Sequence, residues 1–195
     1  MAKINCYFGT MGSGKSLDLI RTVYNYKERG MDVLVYKPNI DTRDGQDECV
    51  ITTRVGMTAN AKWLTKEDNT FKKIEADYWD AEWRPSAIIV DECQFLSEDQ
   101  VNDIQSLCYT YGVPIIFYGL KVDFTGRLFE GSKRILEIAD RVVELKGICH
   151  CGRIARQNAR VIDGKMQLEG DIVSIGGNEL YVALCNECFR EGRVE

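Results

Sequence analysis

With 195 residues the chain can build one full hydrophobic core and a small appendage, but not two large independent domains. Hydrophobic residues at 45% against 28% charged, with no repeat, low-complexity or Pro-rich tract, exclude a disordered or fibrous protein. The formal charge is -5, and residues 146–195 balance seven Lys and Arg with seven Asp and Glu, so no basic face is expected for nucleic acid. No run of about 18 apolar residues and no basic-then-apolar leader occurs, so neither a membrane partner nor export is expected, and a cytoplasmic location is.

The first apolar segment, residues 4–8, alternates as a strand and ends at Gly9, and residues 15–29 carry a helical period that Gly30 closes. Between them, Gly9-Thr10-Met11-Gly12-Ser13-Gly14-Lys15-Ser16 fits GxxxxGKS. In that pattern glycines let backbone amides turn toward phosphate oxygens, Lys15 reaches the β and γ phosphates, and Ser16 ligates magnesium. A glycine turn matching by chance would lack the flanking strand and helix, so nucleoside triphosphate binding is the expectation.

Residues 33–36 form a second apolar run that ends at Pro38 and opens into Asp41-Thr42-Arg43-Asp44-Gly45. Ligand sites of α/β proteins lie just past strand ends. Arg43 is thus a candidate to neutralise charge on a transferred phosphoryl, and Asp41 to join a magnesium shell. The same residues read equally as a solvated turn.

Helical character returns around residues 69–77. After Pro85, the apolar residues 87–90 predict a buried strand that delivers Asp91 and Glu92. Asp91 is expected on a strand neighbouring the P-loop strand, holding a magnesium-bound water near Ser16, with a capping or surface carboxylate as the alternative. Glu92 stands where a P-loop ATPase puts a water-activating glutamate and where a small-molecule kinase puts the base for a substrate hydroxyl; the motif leaves both open. The one histidine, His150, lies between two cysteines, which leaves a carboxylate as the candidate base.

Ser97 is placed to cap a helix over residues 98–111, with Gln100 at the capping-box position and Gly112 as the stop. A strand over 113–118, a helix over 131–139 and a short strand over 142–145 follow. Apolar strands alternating with helices predict an α/β fold, a mainly parallel sheet covered on both faces.

From Lys146 the texture changes to short segments, which divides the chain into a P-loop nucleotide-binding domain, 1–146, and a lobe, 147–195. Cys149 and Cys151 form a CxC pair and Cys185 and Cys188 a CxxC pair, the four soft ligands of a closed tetrahedral zinc site. Four cysteines favour structural zinc over a catalytic metal with an open position, and the metal would staple a lobe too small to fold unaided. Gly176-Gly177 reads as a hairpin turn or as a close approach of backbone to ligand, the hairpin being favoured. Phe95, Phe124 and Tyr181 each read singly as core, although any of them can pack a planar base.

Taken in order, the P-loop, Asp41-Thr42-Arg43, Asp91-Glu92-Cys93-Gln94-Phe95, Tyr118-Gly119-Leu120, Asp123-Phe124, the two cysteine pairs and Ile175-Gly176-Gly177 with Tyr181 resemble the type II thymidine kinases over essentially the whole chain. The resemblance implies a RecA-like P-loop fold with a zinc lobe carrying a lasso-like loop, and transfer of the γ-phosphoryl of ATP to the 5′-hydroxyl of thymidine. It makes Glu92 the general base, has Lys15 and Arg43 stabilise phosphoryl charge, and assigns magnesium to Ser16 and Asp91. Cys93 and Gln94 join the nucleotide site by the same resemblance. The thymine pocket it implies uses backbone of Ile172, Val173, Ser174, Ile175 and Gly176, lined by Met11, Phe95, Leu120, Phe124 and Tyr181. It also implies a homotetramer and feedback inhibition by thymidine triphosphate. Thr10 stands where many members carry proline or alanine, and Cys188 where some carry histidine; both changes keep the chemistry. Two other readings compete: a P-loop ATPase acting on a partner, and a zinc module for nucleic acid whose nucleotide site is regulatory.

Overall fold

The computed structural model describes residues 3–39, 49–170 and 181–195. Asp41, Thr42, Arg43, Asp44 and Gly45, and Ile172, Val173, Ser174, Ile175, Gly176 and Gly177, lie outside the described residues.

β1 (Ile4–Gly9) leads through the glycine loop into α1 (Lys15–Lys27), and β2 (Val33–Pro38) follows. Three short strands, β3 (Val50–Thr52), β4 (Thr58–Asn60) and β5 (Lys62–Leu64), precede α2 (Thr70–Asp80) and β6 (Ala87–Val90). A 3-10 turn, Cys93–Phe95, then leads to α3 (Glu98–Tyr111), β7 (Ile115–Gly119), α4 (Glu130–Ile138) and β8 (Arg141–Leu145).

Among the described residues these strands form a six-stranded sheet in the order β5-β2-β6-β7-β1-β8, with every pairing parallel. One expectation needs correcting: the strand that delivers Asp91 does not neighbour the P-loop strand. β7 pairs with both β1 and β6 and lies between them, because its residues are buried throughout and it therefore belongs in the middle of the sheet.

The two-residue period of the strands sorts their side chains between two cores. Ile88, Val90, Ile115 and Phe117 face α2, α3 and α4 through Ile74, Val101, Ile104, Leu107 and Ile135. Ala87, Ile89, Ile116 and Tyr118 face α1 through Leu19, Ile20 and Val23, together with Ile51 of the β3-β4 hairpin. The sheet is thus covered on both faces, the parallel-sheet solution for strands without a polar side.

Helix ends follow local chemistry. Ser97 Oγ accepts from the Gln100 N–H and Gln100 Oε1 from the Ser97 N–H, a complete capping box, and Gly112 leaves α3 with φ of 65°. α1 ends two residues before the expected position because Arg29 and Gly30 bond back to Tyr26 and Lys27 carbonyls, tightening the last turn.

Beyond β8, β9 (Gly147–Ile148) and β10 (Ile154–Ala155) form one small hairpin, and β11 (Gln157–Ile162) pairs antiparallel with β12 (Lys165–Gln167) and β13 (Tyr181–Leu184) before α5 (Asn186–Glu191) closes the lobe. Its buried core is Ala155, Ala159 and Leu184 with Cys149, Cys185 and Cys188, far too little apolar surface to hold a fold alone. No helix among the described residues is long and apolar enough to cross a membrane.

Candidate active site

The glycine loop bends through Gly12 and Gly14, at φ of 75° and 87°, conformations that cost a residue with a Cβ. Gly9 is required for another reason: a Cβ there would collide with the Ser13 hydroxyl. Gly14 is the N-cap of α1, so the first amides of that helix have no intrahelical carbonyl and offer an anion both donors and the positive end of a dipole.

Lys15 is 8% exposed and donates to Thr10 O at 2.9 Å and Gly9 O at 3.3 Å, which folds it over the loop. Burial lowers its pKa, against the attraction of the Glu92 and Asp91 carboxylates. A polyanion in the loop would return the charge balance that burial removes.

Asp91 and Glu92 emerge where β6 ends. The Asp91 carboxyl is 3% exposed and raised in pKa by burial first and the Glu92 charge second, while Lys37 and Lys15 oppose the rise. Asp91 Oδ1 and Ser13 Oγ are buried without a hydrogen-bond partner. An orphaned carboxylate oxygen close to a P-loop fits a hydrated divalent cation, which would supply the missing partner and lower the cost of ionisation.

Glu92 has φ of 49° and ψ of 37°, left-handed backbone that a glutamate enters at a cost of about 1–2 kcal/mol. Its carboxylate Oε2 accepts from Gln94 Nε2 at 2.6 Å, and Gln94 Oε1 accepts from the Leu120 N–H at 2.9 Å. Cys93 is fully buried against Cys6, which pushes its thiol well above the ordinary range.

These groups open on a cavity of about 510 Å³, within the range of small-ligand sites. Lys15, Ser16 and Glu92 line it together with Met11, Phe95, Leu120, Phe124 and Tyr181. Phe95 packs edge-to-face on Phe129 at 5.7 Å, and the Arg160 guanidinium lies 5.7 Å from the Phe124 ring centre.

Lys37, Arg54 and Asn158, polar residues on the cavity, were absent from the sequence reading. Lys37 sits near the end of β2 and Arg54 in the β3-β4 turn, close to Gly12; both add positive charge near the loop. Lys37 was legible in principle, since strand ends carry ligand sites. Asn158 of β11 is buried, and its Oδ1 accepts from the Met11 N–H at 2.8 Å, tying the lobe to the P-loop. Gly147 makes the same approach, since a Cβ there would collide with the Thr10 hydroxyl.

The four lobe cysteines converge from the turn after β9 and the start of α5. Their sulfurs all lie within 4.8 Å of one another, and Cys151 Sγ and Cys185 Sγ are 3.7 Å apart. Zinc–sulfur bonds of about 2.3 Å in a tetrahedron require sulfur–sulfur edges of about 3.8 Å, so the cluster fits zinc. Cys185 Sγ also accepts from the Cys188 N–H at 3.5 Å, and that bond leads the effects that hold the Cys185 thiol down to about 6, while burial pushes Cys188 up to about 12. Four thiols this close share protons until a cation replaces them.

A thymidine kinase family model matches residues 2–189. The thymidine kinase of Shewanella oneidensis is 42% identical over 192 residues, covering 98% of each chain. That of Coxiella burnetii is 41% identical over 194 residues, covering 99% of this chain and 97% of its own. That of Enterobacteria phage T4 is 42% identical over 192 residues, covering 98% and 97%. With a P-loop, an acidic pair at the end of β6 and a four-cysteine cluster in one α/β framework, and near-complete matches to these relatives, the chain belongs to the thymidine kinase family.

Proposed function

We propose that the protein transfers the γ-phosphoryl group of ATP to the 5′-hydroxyl of thymidine, and of deoxyuridine, yielding ADP and the nucleoside 5′-monophosphate for nucleotide salvage and DNA precursor synthesis. The observation that carries this reading is one cavity lined both by Lys15, Ser16 and Glu92 and by the apolar group around Phe95, Phe124 and Tyr181. A nucleoside offers both characters, a planar base for the apolar side chains and a hydroxyl for the charged ones.

Lys15, with Lys37 and Arg54 nearby, balances charge on the phosphates, and the amides at the start of α1 bind their oxygens. Glu92 accepts the 5′-hydroxyl proton as that oxygen attacks the γ-phosphorus and the bond to the β-phosphate oxygen breaks. Ser16 and Asp91 would hold magnesium, which would offset negative charge on the phosphates. Arg43 and Asp41 keep their proposed parts in phosphoryl and magnesium binding by family resemblance, as do the backbone groups of Ile172, Val173, Ser174, Ile175 and Gly176 in thymine recognition. Zinc in the cysteine cluster is structural. A division near Lys146, between the nucleotide-binding domain and the zinc lobe, accords with the change from parallel sheet to small antiparallel hairpins.

The test is turnover with magnesium ATP and each natural deoxynucleoside plus deoxyuridine, followed by chromatography. Monophosphate is expected from thymidine and deoxyuridine. ATP hydrolysis at one rate with or without nucleoside would favour the ATPase alternative and defeat the kinase reading.

Thymidine triphosphate carries a nucleoside at one end and a polyphosphate at the other, and we take it to inhibit by spanning the same cavity. Added to this assay it should raise the apparent KM for thymidine, and no inhibition would remove it as a regulator. A cytoplasmic location accords with eight free cysteines, four of them in the cluster that zinc requires reduced. Homotetramer formation accords with the outer strand β8, which pairs only with β1 among the described residues and leaves Val142 half exposed. Light scattering should give about four times the 22.2 kDa chain mass, and a monomer would rule it out.

A further inference from the structure

We infer that Gln94 is a positioning residue for phosphoryl transfer, acting through Glu92 rather than on the nucleotide. This inference rests on the reading of Glu92 as the base.

Gln94 lies in the 3-10 turn two residues after Glu92 and is 2% exposed. Both ends of its amide are engaged within the chain. Oε1 accepts from the Leu120 N–H, and Nε2 donates to Glu92 Oε2. The first bond fixes the sense of the second. Turning the amide over would set a carbonyl oxygen against the carboxylate and an N–H against the Leu120 N–H, losing both bonds.

The seat for this amide is built from separate parts of the chain. Leu120 is itself held on its other side, where its carbonyl accepts from Ser132 Oγ at 2.6 Å, which links the end of β7 to α4. Gly119 leaves the space: a Cβ there would lie 2.5 Å from Gln94 Oε1 and 2.7 Å from Cys93 Sγ. A side chain at 119 would therefore expel the amide. Ser132, Leu120, Gln94 and Glu92 form a continuous chain of hydrogen bonds from the buried face of α4 to the cavity.

The consequence for chemistry is orientation. A glutamate has several rotatable bonds, and Glu92 starts from strained backbone that does not by itself aim the carboxylate. A charge-assisted bond from a fully ordered donor holds Oε2, leaving Oε1 with no hydrogen bond among the described residues to take the substrate proton. Proton transfer in the transition state depends on this placement, whereas ATP and nucleoside binding draw on other groups.

Gln94→Met removes the amide at similar length, and Gln94→Glu keeps the shape while replacing the donor by a charged acceptor. Each should lower kcat about 10- to 100-fold, with the KM for thymidine and the Kd for ATP changed by less than about threefold. The decisive arm is Glu92→Gln alone and combined with Gln94→Met, with rates normalised to nucleotide-binding sites so that misfolded protein does not count. If Gln94 acts through Glu92, adding Gln94→Met to Glu92→Gln lowers kcat little further. Losses that multiply, or an unchanged kcat in Gln94→Met while Glu92→Gln is inactive, overturn the positioning role. If Glu92→Gln itself keeps its activity, the base reading fails, and this inference with it.

Discussion

Glu92→Gln should lower thymidine phosphorylation by about 10²- to 10⁴-fold, the usual contribution of a positioned general base, while leaving ATP binding unchanged. The substitution isolates basicity. A glutamine keeps the length of the side chain, and its carbonyl oxygen can still accept from Gln94 Nε2, so the geometry around the 3-10 turn persists. It cannot take a proton from a hydroxyl at neutral pH. Removing the charge also relieves Asp91, whose pKa is raised partly by Glu92, and takes from Lys15 one of the carboxylates that favour its charged form. Those changes bear on the phosphate side but leave the loop amides and the Lys15 bonds to Gly9 and Thr10 in place. ATP titration by calorimetry together with monophosphate formation checks both halves. Substantial phosphorylation by the variant would mean that the hydroxyl loses its proton elsewhere, to solvent or to the phosphate itself.

What could be read without coordinates was whatever chemistry is local. The P-loop needs glycines at fixed offsets, Ala87 to Val90 form a buried strand four residues long, and the Ser97 box spans four residues. The cysteine pairs were legible because each pair is compact, even though 33 residues separate them. Strand order was not legible, because placing β7 between β1 and β6 depends on pairing between distant segments. Nor were the strands β3, β4, β5, β9, β10 and β12, which are two or three residues long and too short to show a period.

The same rule governs the site. Asn158 reaches the Met11 amide across 147 positions, and nothing near Asn158 in the sequence marks it. Gln94 was legible as part of a motif. Its hold on Glu92 was not, because the orientation of its amide is set by Leu120, 26 residues away. Arg54 belongs to a hairpin whose strands carry too little pattern to predict, while the loop that drew attention, with Asp41 and Arg43, falls outside the described residues.

Cys188→Ser should abolish zinc retention and raise the thymidine KM at least about 10-fold, while the P-loop domain stays folded and binds ATP. The buried core of the lobe is three small or medium apolar side chains plus three of the cysteines themselves, so a metal bound by those cysteines would be a large part of what holds it. Structural zinc in small domains contributes on the order of 10–16 kcal/mol of apparent binding energy, all of it folding energy when the site forms only in the folded state. Cys188 is fully buried and stands at the start of α5, so its loss leaves three thiols, a broken tetrahedron and an unsupported helix. Two links then fail at the cavity: Tyr181, which begins the strand leading to Cys185, and Asn158, whose bond holds Met11. The cores on either face of the parallel sheet draw on no described residue of the lobe, which is why ATP binding should survive. Metal analysis, ATP titration and thymidine kinetics on the same preparation test the chain of cause. A zinc-free variant with an unchanged thymidine KM would show that the lobe holds its shape without metal, and that the cysteine cluster serves something other than the nucleoside site.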